Sequence, residues 1–375
     1  MIYWDHHAAT PVLPEALLAV RDAEKEAWAK PSSVHRAGRA SRAFFETARR
    51  SVAESVSADP NDIVFTSGGT EGIHLGLHGV LTGRTRARIV TTAVEHPAVA
   101  ATLDGFAALG FDLVRLPVPH GRPPTPDELA TALVGDVALV ATQWINHETG
   151  TIFPVSDYGN LCATRGIPFF VDATQALGKI PINVSALGAT VVVVAGHKMG
   201  GPAGIGAMIV RRGFNFHPTM LGGAQERGRR AGSPDVVRAV GFGVACGAVP
   251  RRIAETAELA PARDAIESGL LSLGAVVNAN DGPRVASALN VSIQKKQGAI
   301  VVAALDVEGL CVSSGAACSS GVAEASPVLL RMHADEAWRA KCAVRITLGP
   351  GNSPAEVAPA LEKFKLVLGR VQNLE

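Results

Sequence analysis

The chain has 375 residues, 47% hydrophobic and 18% charged, with 35 Lys and Arg against 34 Asp and Glu for a formal net charge of +1. A chain of this length can bury about three quarters of its unfolded surface, so no disulfide or structural metal is needed to hold it together. The balanced charge argues against a nucleic-acid glove or a polybasic membrane binder.

Short apolar runs at 63–66, 88–92, 113–116, 137–142, 168–171, 190–195 and 206–210 alternate with segments of helical length rich in Ala, Leu and Arg. The runs at 137, 168 and 190 are apolar on both alternations, the pattern of strands buried on both faces of a helix-covered parallel sheet, and an α/β layered domain follows. From Pro250-Arg251-Arg252 the order changes to a helix-like stretch and two short strands, at 288–293 and 343–348. A domain boundary is expected there. None of the apolar runs approaches the ~20 residues of a membrane helix. The N-terminal Met1-Ile2-Tyr3-Trp4-Asp5-His6-His7 lacks the basic and apolar regions of a signal peptide. Five cysteines without C-x-x-C spacing read as reduced thiols in a cytoplasm.

Six features along these elements can carry chemistry. Thr66-Ser67-Gly68-Gly69-Thr70-Glu71-Gly72 joins a strand to a helix expected over 72–80. It is either a phosphate-binding turn, with small residues admitting backbone N–H groups to an anion, or an ordinary Gly-rich turn with a Thr cap. His96 follows the strand at 88, as a structural residue or as an imidazole that stacks on a planar cofactor and relays a proton. Asp172 ends the strand at 168, where a carboxylate can hold a pyridine nitrogen protonated, cap a helix or bind Mg²⁺. Lys198 lies 26 residues further on, the span of one crossover, so both residues reach the same carboxyl edge of a parallel sheet. At the mouth of a buried strand its amine becomes a nucleophile through partial desolvation, and on a solvated loop it does not. Cys318 sits in a run of nine small residues, 313–321, either as an exposed reactive thiol or as an inert one. Arg345 interrupts an apolar strand, as an outward charge or as a fork for a carboxylate.

Taken together the chain resembles the group I cysteine desulfurases of the class V aminotransferase family, pyridoxal-phosphate enzymes of fold type I. The resemblance rests on Tyr3-Trp4-Asp5-His6-His7-Ala8-Ala9-Thr10-Pro11, Pro31-Ser32-Ser33-Val34-His35, Ser67-Gly68-Gly69-Thr70-Glu71, Glu95-His96-Pro97, Asn146-His147-Glu148-Thr149-Gly150, Asp172-Ala173-Thr174-Gln175, Gly196-His197-Lys198, Gly222-Gly223-Ala224-Gln225-Glu226 and the 313–321 segment, whose length points to group I. It implies a mostly parallel seven-stranded sheet covered by helices in a large domain at 12–250. A smaller α+β domain of residues 1–11 and 251–375 would carry the cysteine loop. By motif, Lys198 resembles the lysine that binds the coenzyme aldehyde, Asp172 the pyridinium partner and Gln175 the donor to the phenolic oxygen. Gly69, Thr70, His197 and Ser233 resemble the phosphate cradle, His96 the stacking and proton-relay imidazole, His147 and Arg345 the substrate contacts, and Cys318 the persulfide-forming nucleophile.

The implied reaction converts L-cysteine to L-alanine, with the sulfur carried on Cys318 to an acceptor protein such as an iron–sulfur scaffold or a tRNA-thiolation protein. The 225–235 stretch resembles one that reaches the partner's cofactor in a homodimer. No nucleic acid, membrane or metal is expected to take part. A selenocysteine lyase, another fold-type I lyase or aminotransferase, and a non-catalytic sulfur-carrier scaffold are the alternative readings. Several positions depart from the family pattern. His147 stands where asparagine is common, Ala195 where a hydroxyl binds phosphate, Ser233-Pro234-Asp235 where Thr-Glu-Asn is typical, and His6-His7 in place of amides.

Overall fold

The computed structural model describes residues 1–85, 87–314 and 325–372, so Cys318 lies outside the described residues. Among these, the strands are β1 (Ile2–Tyr3), β2 (Ile63–Thr66), β3 (Arg88–Thr92), β4 (Asp112–Leu116), β5 (Val137–Gln143), β6 (Phe169–Asp172), β7 (Val191–Ala195), β8 (Gly206–Val210), β9 (Ala275–Val277), β10 (Ala288–Ile293), β11 (Leu310–Cys311) and β12 (Ala343–Thr347). Every strand expected from the apolar runs is present with its ends within one residue. The short β1, β9 and β11 have too few residues for a periodic signal and were not anticipated.

Seven strands form one sheet in the order β2-β8-β7-β6-β5-β3-β4. All neighbours are parallel except β8, which runs antiparallel to both β2 and β7. The expected mostly parallel, seven-stranded α/β architecture is therefore what the chain adopts. Every residue of β5, β6, β7 and β8 is buried, because alternate side chains feed two cores. Phe169, Val171, Val192 and Val194 join one cluster, with Phe45, Val52 and Phe242 from the helices Arg36–Ser55 and Val236–Gly247. Phe170, Val191 and Val193 join the other, with Leu75, Leu77, Leu103 and Phe106 from the helices Gly69–Leu81 and Pro97–Ala108.

The helix Gly69–Leu81 begins three residues before the expected position, since glycine is a poor helix former in sequence terms but is required here by close packing. A Cβ on Gly72 would lie 2.8 Å from Val193 Cγ1, and one on Gly76 would lie 2.9 Å from Phe170 Cε2. These missing side chains let the helix lie directly against β6 and β7.

The third cluster is built on the antiparallel order β12-β10-β9 and the helices Ala260–Ser272, Gly298–Val307 and Val357–Arg370. Trp4 is buried in it, and β1 pairs with β11. The chain passes from the first cluster at Val249 to the third at Leu259. No helix among the described residues is long and apolar enough to cross a membrane.

Candidate active site

Because β8 alone is reversed, the carboxyl ends of β2, β3, β5, β6 and β7 share one edge, where α/β sheets bind ligands. The turns leaving these strands line a cavity of about 310 Å³ that contains Gly69, Thr70, His96, His147, Asp172, Gln175, His197 and Lys198 together with Ala8, Gln143 and Thr174. Eight of the residues singled out from the sequence thus meet at one place.

Asp172 is the last residue of β6, opposite Gln143 on β5 and Val193 on β7. It is only 6% exposed, and its Oδ1 accepts from the Thr174 backbone N–H at 3.0 Å. Lys198 closes the one-turn helix Gly196–Lys198 that follows β7, and its Nζ donates to the carbonyls of His7 at 2.6 Å and Ala8 at 2.9 Å. The turn that follows β1 therefore supplies backbone acceptors to the lysine, a contribution invisible in the local motif.

His96 caps the helix Pro97–Ala108, its Nδ1 accepting from Ala98 N–H at 3.1 Å. In the neutral ring that bond leaves the proton on Nε2. Burial lowers the His96 pKa, the Asp172 carboxylate opposes the shift and Lys198 adds to it. The ring meets His147 edge to face, centroids 5.0 Å apart at 72°. His147 is held well below the usual imidazole range, first by burial and then by His96, Arg345 and Lys198, and its Nδ1 is buried without a hydrogen-bond partner. His197 is pushed down to about 4 by burial, with Lys198 and Lys179 adding to the shift.

At the other end of the cavity the helix Gly69–Leu81 starts with no side-chain cap, which leaves its first N–H groups open to an anion. Thr174 Oγ1 is buried and unpaired there, 3.2 Å from where a Cβ on Gly69 would sit, with Ala195 Cβ 3.6 Å from the same point. Thr174 thus presents a hydroxyl to the turn that Ala195 faces with a methyl. Reading by motif passed over it, although it stands between Asp172 and Gln175. Lys179 was also missed: its Nζ donates to Gln175 Oε1 at 2.7 Å and to the Gln175 carbonyl at 3.0 Å.

Two expected site residues lie away from the cavity lining. Arg345 is buried, donates from Nη2 to Asp5 Oδ1 at 2.7 Å and from Nη1 to the His147 carbonyl at 3.1 Å, and leaves Nε unpaired. It sits behind His147. Ser233 is exposed and faces a separate cavity of about 430 Å³ beside Trp28 and Pro31. Among the described residues no group of three or more His, Cys, Asp or Glu is placed to hold a metal ion.

Comparison with known proteins places the whole chain among described relatives. The profile of the aminotransferase class V family matches residues 2–359. An IscS-like cysteine desulfurase of Mycobacterium tuberculosis is 37% identical over 100% of this chain and 98% of its own length. Among solved structures, a NifS-like protein superposes with a TM-score of 0.90 at 30% identity, covering 98% of this chain and 99% of that one. A structure described as SspA in complex with cysteine superposes with a TM-score of 0.82 at 27% identity, covering 94% of this chain and 100% of the other. With the family profile matched over residues 2–359 and the fold and sequence matched over nearly the whole chain, the chain belongs to the class V aminotransferase family, among the cysteine desulfurases of the IscS and NifS kind.

Proposed function

We propose that the protein uses pyridoxal 5'-phosphate to convert L-cysteine to L-alanine and places the sulfur on Cys318 for delivery to an acceptor protein. The observation that carries the reading is the convergence of Lys198, Asp172, Gln175 and His96 on one cavity, next to an uncapped helix N-terminus and the unpaired Thr174 hydroxyl. The residues fit the coenzyme group by group. Thr174 Oγ1, the N–H groups of Gly69 and Thr70 and the neutral His197 suit the phosphate. Asp172 suits the ring nitrogen, Gln175 the phenolic oxygen, His96 the ring face and Lys198 the aldehyde carbon. When bound, the coenzyme supplies an electron sink for charge developing at the substrate Cα.

The protein's own part is positioning and proton movement. Lys198 Nζ, steered by two carbonyls, moves the Cα proton, and His96 Nε2 relays a second one. Arg345, with Nε unpaired, takes the substrate carboxylate when it exchanges Asp5 for it. In the net reaction the C–S bond of L-cysteine breaks and an S–S bond forms on the Cys318 thiolate. The electron pair of the broken C–S bond stays on the carbon skeleton, which takes up a proton and leaves as L-alanine, and this reduction at carbon matches the oxidation of the two sulfurs to a persulfide, so no external oxidant is needed. Support for cysteine comes from the neighbour described in complex with it.

The reading extends to a homodimer, supported by exposed Leu17, Leu18, Trp28, Val34 and Leu221 on this chain and by the exposure of Ser233. It also extends to work in the cytoplasm, supported by the free thiols of Cys162, Cys246, Cys311 and Cys342. The test is a visible absorbance spectrum of the purified protein with pyridoxal phosphate, before and after L-cysteine, with alanine quantified. Borohydride reduction is expected to fix the coenzyme on Lys198, and Cys318→Ala to abolish sulfide release with dithiothreitol while keeping the visible band. Alanine formed from selenocysteine alone would turn the reading to a selenocysteine lyase, and a protein without a visible band would turn it to a non-catalytic carrier.

A further inference from the structure

We propose that Lys179 is a positioning residue for the coenzyme: it holds the Gln175 carboxamide with an N–H, and not the carbonyl oxygen, toward the phenolic oxygen. This rests on the pyridoxal-phosphate reading above. A glutamine amide has nearly the same shape either way round, and turning it over exchanges a donor for an acceptor. Here the neighbours at both ends decide. The His7 carbonyl oxygen can only accept, and it lies 2.9 Å from Gln175 Nε2. Lys179 Nζ donates to Oε1 at 2.7 Å, with a second bond to the Gln175 carbonyl at 3.0 Å that fixes the lysine itself.

One amide N–H is therefore taken by His7, and the second remains for a ligand in the cavity that Gln175 lines. The same His7 carbonyl accepts from Lys198 Nζ at 2.6 Å, so the amide and the coenzyme-binding lysine share one acceptor. Turning the amide over would set its oxygen against the His7 carbonyl and against a phenolic oxygen, two contacts between acceptors. It would also break the Lys179 Nζ hydrogen bond to Oε1. Lys179 is not among the residues that line the cavity, so it acts through Gln175.

The test compares wild type, K179M, K179R, Q175A and the double variant Q175A/K179M, each reconstituted with pyridoxal phosphate. The readouts are the dissociation constant for the coenzyme and the position and intensity of its visible band. K179M is expected to weaken coenzyme binding about tenfold, the loss of one well-made hydrogen bond, and to shift the band toward that of Q175A. K179R, which restores a donor, should return the band toward wild type. In the Q175A background K179M should have no further effect, because the two residues act as one unit. A K179M protein with wild-type band and affinity would overturn the proposal, as would K179M and Q175A effects that multiply independently. If K179M does not fold, as judged by thermal melting, K179Q enters the same cycle with the same two criteria. A wild-type protein that shows no coenzyme band refutes the coenzyme reading, and the role of Lys179 falls with it.

Discussion

His147 brings a third imidazole into a cavity that also holds His96 and His197. Its neutral ring lies edge to face on His96, while its own carbonyl accepts from Arg345 and lies 3.3 Å from His7 Nδ1. A neutral ring with Nδ1 buried and unpaired contributes shape and a latent polar contact, not charge. His147→Asn, which installs the residue common in the resembling family, should therefore change KM for cysteine by up to about tenfold with kcat within about twofold. A hundredfold fall in kcat at unchanged KM in steady-state assays would instead make His147 a proton-transfer group. The residues that follow buried strands, Asp172, Lys198 and His96, were legible because an apolar run ends and a functional side chain begins. Thr174 and Lys179 were not, because each acquires its meaning from an atom on another segment or a neighbouring turn.

Among the elements, the helix Gly69–Leu81 ties packing to the site: its glycine stripe seats it on β6 and β7, and its first turn faces the cavity. Gly76→Val would press new carbons against Phe170 and Val191, whose atoms lie 2.9 and 3.0 Å from the position of the first added carbon. Overpacking of this kind costs about 1–3 kcal/mol. The variant should show that loss in urea unfolding together with weaker coenzyme retention, as the helix start is displaced from Thr174. Unchanged stability would mean that the helix shifts without cost. The strands themselves were readable from hydrophobic runs, since a central strand must be apolar on both faces. The reversal of β8 was not readable, because direction depends on which neighbour the strand meets.

For the whole molecule, buried titratable groups set the pH range of stability. His6, His197 and His333 are each pushed down to about 4, first by burial and then by cations nearby, Arg252 and Lys179 for His6, Lys198 and Lys179 for His197 and Arg339 for His333. Their unfolded forms titrate near 6.5, so the stability they allow is complete above that pH and is lost as pH falls through about 4. Glu95 works in the opposite sense. Burial, opposed by the Thr92 hydrogen bond and reinforced by Asp172, raises its carboxyl to about 8 from 4.5. Its contribution is complete below 4.5 and is lost as pH rises through about 8. On the acid side the three histidines outweigh the one carboxyl, so stability falls as pH drops from 6.5 toward 4. Thermal unfolding should show Tm falling from pH 6.5 toward 4, with His333→Asn making that fall shallower. A Tm that stays level between pH 6.5 and 4 would contradict the assignment.

The order of apolar runs, their length and the functional residues at their ends were enough to establish an α/β sheet with a ligand edge, because burial on two faces leaves a local pattern in the chain. The meeting of His7, Lys198 and Gln175, the orientation of that amide by Lys179, the Thr174 hydroxyl at the Gly69 turn and the retreat of Arg345 onto Asp5 were decided only in three dimensions. Hydrogen bonds between segments more than a hundred residues apart, such as Gln175 with His7 and Arg345 with Asp5, have no periodicity to betray them. They exist because folding brings polar atoms together where water is excluded and each must find a partner.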